Sequence, residues 1–600
     1  MRTRIGFPFL ASVVTLLLLA VAGLGTATAG DIYVDINAVG ANNGTSWADA
    51  RTDLQSALAV AGDGDTIYVA QGTYKPTSET DRTISFQLKS GVKLLGGYCP
   101  DHVRDPACKT ILSGDIGIPG DKSDNSLHVV NGSGVDHTAV MDGFTITAGN
   151  ADRLDISEGY YGGGMFISYI CIDEVCTDGN PTLTNVTFSD NSAMLEGGGL
   201  YALSSSLTLT DVTFTGNTAY SEGPNPGDPP RGDGGAIFFW AGAATLTNVT
   251  ISGNTAGGVG GGICVKNNAR ATLTHVTISG NMASGSGGGW YFNDENDPYM
   301  GPVVRNSILW GNSPDQIDNG RGYEHFSNSV VQGGCPDPDH LDCTNIIDAD
   351  PMLGTLGDNG GYTQTIPLLF GSSAINVGVD YGVTTDQRGV VRPQGLGFDI
   401  GAYEYVDTVP PVVTVPANKT VDATGPAGAS VTFAASAMDD VDGQRPVTCT
   451  PSSGSTFPVG VTNVTCTAKD ASGNEGSASF TVTVRYAPIT IVSLTPTPAS
   501  LWPPNHKMVN VIVTARVSGG SGVTTCRITG ATSSEPDSGL GDGDTAGDIG
   551  ARTGLAISLR AERSGNGPGR IYTLTVSCSN AAGTSAKTTT VTVPHDQGKK

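Results

Sequence analysis

Positive charge is scarce in this 600-residue chain: 32 lysines and arginines stand against 57 acids, a formal net charge of −25 at pH 7. A surface of that sign argues against nucleic acid or an anionic membrane as partner. It also works against unaided binding of polyanionic sugars, and leaves neutral glycans, proteins and calcium-bridged ligands. Charge of either sign is sparse, at 15 % of residues, and aromatics make up 6 %. Apolar residues still recur regularly, as disordered chains do not allow. Beyond the first 30 residues no apolar run reaches membrane-spanning length, so no transmembrane segment is expected. The N-terminus differs: Arg2 and Arg4 precede an apolar run from Val13 to Leu24, and Ala27-Thr28-Ala29 follows. That is the pattern of a secretory signal peptide, residues 1–29, cleaved after Ala29.

Metal-type cysteine spacing is missing, as are Ser/His/Asp and Cys/His constellations. The 11 cysteines instead suit an oxidising compartment. Ten fall into near-neighbour or domain-matched pairs: Cys99–Cys108, Cys171–Cys176, Cys335–Cys343, Cys449–Cys466 and Cys526–Cys578. Cys264 is left over.

What is abundant is glycine, 84 residues, arranged in a repeat. One element reads TLTNVTFSDN (182–191), LTLTDVTFTGN (207–217), ATLTNVTISGN (244–254) and ATLTHVTISGN (271–281). The other reads GGGMFI (162–167), GGGLYA (197–202), GGAIFF (234–239), GGGICV (260–265) and GGGWYF (287–292). Asn191, Asn217, Asn254, Asn281 and Asn312 recur at intervals of 26, 37, 27 and 31 residues. A shortest period near 26 with variable insertions suits a coil of three short strands whose loops grow at the corners. Alternating Leu/Val/Phe and Thr/Ser gives each strand one buried face. Asn185, Asp211, Asn248 and His275 interrupt the alternation at one equivalent position, as a corner does, so the NVT sequences at Asn185 and Asn248 are a corner requirement rather than glycosylation signals. The repeated Asn191-type residues are expected to stack as an internal ladder, their amides bonding between coils, and to tolerate left-handed geometry. Leu54, Ala57, Leu58 and Ala61 lie at helical spacing, an amphipathic helix placed to cap the open end of the coil.

These elements predict an all-β protein: a right-handed parallel β-helix over 30–405, then two immunoglobulin-like β-sandwiches over 406–485 and 486–597, with a boundary at DTVPP. The GGAI (234–237), FSDN (188–191) and FTGN (214–217) motifs resemble the polymorphic outer-membrane-protein repeats and, more widely, bacterial β-helix proteins of pectate-lyase-like fold. No autotransporter barrel fits the last 200 residues, in which the chain departs from the former group. The closing INVGVD…DQRG…RP…DIGAYE stretch (375–404) is similar to the terminal signature of the choice-of-anchor Q β-helix proteins. DTVPP with FPVGVTNVTCTAKDASGNEGSASFTVTV (457–484) resembles the hyalin-repeat (HYR) module, a resemblance that implies adhesion or spacing. The last module, with SLWPPNHKMVNV (500–511), is similar to bacterial Ig-like repeats.

Three groups of residues carry the candidate chemistry. Glu196 and Asp233 precede Gly-Gly elements in consecutive coils, which stacks their carboxylates about 5 Å apart, suited to acid/base work or calcium. No set matches the aspartate triads of polygalacturonases or the arginine-centred sites of pectate lyases. After each glycine element the second and fourth residues face outward: Phe166, Tyr201, Phe238, Trp240 and Tyr291. That stripe binds sugar rings if open, or is roofed by the insertions at 168–181, 218–233 and 293–303. Asp439, Asp440, Asp442 and Asp470, and separately Asp542 and Asp544, gather oxygens of the kind calcium requires. The expectation is a secreted or cell-surface binding or adhesion protein, monomeric, with a glycan or surface protein as partner. The alternatives are a polysaccharide lyase or glycoside hydrolase, and a passive structural envelope protein.

Overall fold

The computed structural model describes residues 30–153, 155–156, 158–172, 175–222, 229–293, 301–321, 324–335, 341–538 and 545–596. The segment read as a signal peptide lies outside the described residues. The chain divides into two compact units, Met1–Val406 and Asp407–Lys600.

In the first unit, parallel strands stack coil upon coil. Leu200–Thr215 pairs with Ile237–Ser252, which pairs in turn with Ile263–Lys266 and Arg270–Ser279. Leu200 faces Ile237, Leu209 faces Leu246 and Phe214 faces Ile251, so like residues stack on like. The long strands stay continuous while turning through residues of positive φ. Asn185 (52°), Asp211 (57°), Asn248 (53°) and His275 (56°) form one such column, continued by Asn306, Asn328 and Asn345. Short polar side chains tolerate this left-handed geometry, where β-branched ones do not. A third, narrow face pairs Asn150–Ala151, Ser192–Ala193, Thr218–Ala219, Thr255–Ala256 and Met282–Ala283.

Between the second and third faces the asparagine ladder runs unbroken. Asn191 donates from its backbone N and Nδ2 to Asn217 Oδ1, at 3.2 and 3.0 Å. Asn217 does the same to Asn254 and Asn254 to Asn281, each at 3.0 and 2.9 Å. Asn281 repeats it to Asn312, and Gln316 Oε1 receives the last amide. Each Nδ2 also donates to a carbonyl inside the coil, such as Phe214 O from Asn254 at 3.1 Å. One expectation needs correcting: the left-handed residue is not the ladder asparagine but its predecessor, Asp190, Gly216, Gly253, Gly280 or Gly311. The turn before the ladder takes the strain, which leaves each asparagine free to aim its amide along the stack.

Leu54–Val60 is helical, with Asp53 accepting from Ser56 N, and Leu54, Ala57 and Leu58 buried against the first coil. Towards the last coils the core holds an acid. Glu324 is buried and accepts a hydrogen bond from Trp290 Nε1 at 2.5 Å, while its Oε2 has no partner. Burial, opposed by the Trp290 bond and aided by Asp318, pushes its pKa up to about 8. The protonated form is therefore the one the fold favours. Its contribution to stability is full below the unfolded carboxyl pKa near 4.5. It is lost as pH rises through about 8. Glu324→Gln is expected to flatten that part of the pH–stability profile and to raise stability at pH 8, as measured by denaturant titration across pH 4–9.

The second unit holds two sandwiches. In the first, Lys419–Asp422, Glu475–Arg485, Gly460–Lys469 and Thr448–Thr450 form one sheet, and Val412–Thr414, Ser436–Asp439 and Gly443–Arg445 another. Phe457, Val464, Phe480, Val482 and Val484 fill the space between them. In the second sandwich, Val511, Ile557, Leu559, Tyr572, Leu574 and Val591 form the core. All five cysteine pairs are bonded. Cys449–Cys466 and Cys526–Cys578 join directly facing residues of adjacent antiparallel strands.

Candidate functional site

Alternation along the glycine-element strands sends Met165, Leu200, Ile237, Ile263 and Trp290 into the core. The residues after them, Phe166, Tyr201, Phe238, Cys264 and Tyr291, form a separate outer cluster. Just before these strands, Tyr161, Glu196 and Asp233 stack in consecutive coils through parallel bridges. Lys266, two residues past Cys264, reaches back across the column: its Nζ meets Asp233 Oδ2 at 2.6 Å and lies 5.7 Å from the ring centres of both Phe238 and Tyr291. Asp233 Oδ1 accepts from Val259 N at 2.9 Å. Among the described residues Glu196 has no such cation of its own. Burial, then the neighbouring charge of Asp233, raise its pKa to about 7 against the pull of Lys266. The pair thus holds a carboxyl that changes protonation near neutrality beside a carboxylate tied to an ammonium group.

The aromatic column is not the open ladder that alternation alone suggests. Phe166, Tyr201 and Phe238 are buried, with rings near-parallel at centroid distances of 5.5 and 5.6 Å. Their cover includes Tyr161, which stacks on Tyr201 at 4.6 Å, His128 beside Phe166 at 5.0 Å, and Lys266 Nζ over the Phe238 ring. Stacked rings one coil apart hide each other's faces, so a sugar has no ring to lie on there. Only Trp240 and Tyr291 keep accessible surface. Cys264 is wholly buried and its thiol pKa is raised well above the ordinary value by burial, which makes it inert.

In the HYR-like sandwich Asp439 and Asp470 are buried, Asp442 is half-buried and Asp440 is exposed. Asp407, which the sequence reading passed over, joins Asp439 and Asp440: one oxygen from each lies within 4.8 Å of the others. Burial, with the charges of Asp439, Asp440 and Asp470, raises the Asp407 pKa. Asp470 instead accepts both the backbone N and Nδ2 of Asn474, at 2.7 Å each. Asp542 and Asp544 lie outside the described residues.

The corner column does work that the repeats alone do not reveal. Asn248 donates to Asp211 Oδ1 (3.1 Å) and to Thr385 O (2.9 Å), and Asn306 donates to Val379 O (2.6 Å). The segment after the last coil therefore docks along this corner, and Asn248 is buried beneath it. Within that segment Gln387 bonds Thr213, Thr250 and Thr363. Arg392 pairs with Glu404 at 2.6 Å, both side chains wholly buried, and Arg388 pairs with Asp386 while lying 3.5 Å over the Tyr403 ring. The DQRG…RP…DIGAYE residues are a buttress. Lys266 and Asp407 were the other residues missed; a lysine one column from two stacked acids was a legible signal, whereas a distant aspartate brought in by the fold was not.

Residues 162–333 match the family described as a right handed beta helix region, and residues 406–484 match the HYR domain. Hyalin from Strongylocentrotus purpuratus is 34 % identical over 158 residues, covering 24 % of this chain and 13 % of hyalin. The chain thus spans about an eighth of that relative's length. Among solved structures, pectate lyase Pel9A is 15 % identical with a TM-score of 0.37, covering 63 % of this chain and 97 % of that one. Rhamnogalacturonan lyase is 13 % identical with a TM-score of 0.33, covering 56 % and 79 %. The chain is a right-handed parallel β-helix protein that carries a HYR domain and a further Ig-like sandwich.

Proposed function

We propose that this is an extracellular adhesion protein, in which the β-helix is a stiff lateral display surface and the two sandwiches serve attachment or partner recognition. The HYR domain, shared with hyalin, is the observation that carries this reading. Five disulfides fit an oxidising compartment, and among the described residues no helix is long and apolar enough to cross a membrane. Two surface features suit a protein or neutral-glycan partner. Trp240 is exposed beside the half-buried Tyr291, and the hairpin around Cys171–Cys176 exposes Tyr169, Ile170, Ile172 and Val175. Exposed apolar side chains gathered on a stapled hairpin mark a contact surface. The purified protein is expected to bind members of a neutral-glycan array or immobilised cell-surface protein. Trp240→Ala should weaken the former, and Ile172→Asp with Val175→Asp the latter. A blank on both surfaces, with the protein still retained on its own cell envelope, favours a passive structural role instead.

A second reading rests on Glu196. A carboxyl whose pKa is about 7, set beside Asp233 and Lys266, has the make-up of a general acid for a polysaccharide lyase or hydrolase. Turnover of a polysaccharide that disappears in Glu196→Gln and Asp233→Asn would replace the adhesion reading.

A further inference from the structure

We infer that the HYR domain holds a calcium ion between Asp407, Asp439 and Asp440. Three chain segments meet there: the first residues of the domain, and the turn that follows strand Ser436–Asp439, with Asp470 from the loop after Gly460–Lys469 packed close by. The carboxylates of the first three residues each place an oxygen within 4.8 Å of the other two. Such a gathering of like charge is unfavourable unless something positive sits among the oxygens.

The second observation is independent of the clustering. Asp407 and Asp439 are each 4 % exposed, and in each one carboxylate oxygen is hydrogen-bonded while the other is idle. Asp407 Oδ1 accepts from Val409 N at 2.9 Å, and Asp439 Oδ1 accepts from Val441 N and Asp442 N at 3.0 and 2.8 Å. Those bonds fix both side chains in place. Asp407 Oδ2 and Asp439 Oδ2 are buried with no hydrogen-bond partner. A buried carboxylate oxygen without a partner is costly, and these two belong to the same three-residue group. Asp440, exposed at the rim, completes a set of oxygens open to solvent on one side.

The donor set selects the metal. It contains oxygen only, with no histidine or free thiol, which excludes a preference for zinc or copper. Calcium tolerates irregular geometry, takes six to eight oxygens and accepts water for the remainder, whereas magnesium demands a near-ideal octahedron. Asp470 and Asp442 stand behind the ligands: Asp470 holds Asn474, whose Nδ2 also donates to Asp407 O at 3.0 Å, and Asp442 accepts from Ala471 N. They orient the first and last loops around the ion instead of binding it. The ion would tie the start of the domain to its two neighbouring turns. This inference stands on the domain's own geometry and does not depend on the adhesion reading.

The test is calcium titration of the full-length, chelator-treated protein, followed by calorimetry and thermal unfolding. One calcium per chain is expected, with a Kd of about 10⁻⁴–10⁻³ M as in other extracellular modules. The unfolding temperature should rise with added calcium and fall back with chelator. Asp440→Asn removes a solvent-exposed ligand and should keep the fold, judged by unchanged circular dichroism, while weakening calcium binding about tenfold or more. Asp439→Asn should abolish it. No calcium-dependent shift up to 10-fold above the expected Kd range overturns the inference. So does an equal shift from magnesium, or binding that Asp440→Asn and Asp439→Asn leave unchanged.

Discussion

Asn254→Ala is expected to destabilise the β-helix by about 3–5 kcal/mol, the sum of two or three buried groups left unsatisfied at about 1–3 kcal/mol each. The side chain is wholly buried and serves both neighbours at once. Its Oδ1 accepts the backbone N and Nδ2 of Asn217, and its Nδ2 donates to Asn281 Oδ1 and Phe214 O. Alanine removes all of these, and the cavity is too small and enclosed to give every orphan a water. Asn254→Asp keeps an acceptor for Asn217 but turns a bare oxygen towards Asn281 Oδ1 and Phe214 O, so it should be worse than alanine. Guanidinium unfolding of the full chain checks this; a loss under about 1 kcal/mol would mean that water replaces the ladder.

Arg392→Met is expected to cost about 3–5 kcal/mol, because it strands a buried carboxylate. Glu404 accepts from Arg392 Nη1 at 2.6 Å and Asp399 N at 3.1 Å, both away from solvent, and from Gln394 N at 2.7 Å. With the guanidinium gone, Gly401 O loses its 2.8 Å partner as well. The loss should be largest at high pH, where Glu404 must stay charged, and smaller in acid, where it takes up a proton. The double change Arg392→Met with Glu404→Gln should recover part of the loss. Protease sensitivity should rise between 350 and 405 first, because this segment is held to the coil by that core and by Gln387.

The contrast between these two variants shows how far the chain could be read unaided. Periodicity exposed the coil, the ladder and the inward and outward faces, because each depends on residues recurring at fixed intervals and stacking on themselves. Glu196 and Asp233 could be paired for the same reason: equivalent positions in consecutive coils must meet. The buttress could not. Gln387 reaches Thr213 across 174 residues, and nothing in the spacing of either announces the other. The aromatic column was half legible. Alternation placed Phe166, Tyr201 and Phe238 on the outer face, but their burial depends on Tyr161, His128 and Lys266 closing over them. Asp407 was hidden likewise, since a single aspartate beside a proline pair reads as a linker until the fold sets it against Asp439. Left-handed geometry falls one residue before the ladder asparagines, on glycines that bear it without a Cβ penalty at 216, 253, 280 and 311, and on Asp190 in the first of these coils.

The most direct measurement of the central claim follows one preparation of the protein on immobilised neutral polysaccharide and cell-surface protein, with bound protein and released sugar ends recorded together. An adhesion protein gives saturable retention, weakened by Trp240→Ala or by the Ile172→Asp, Val175→Asp pair, with no reducing or unsaturated ends released and no change in Glu196→Gln. Continuous release of such ends that stops in Glu196→Gln contradicts the account.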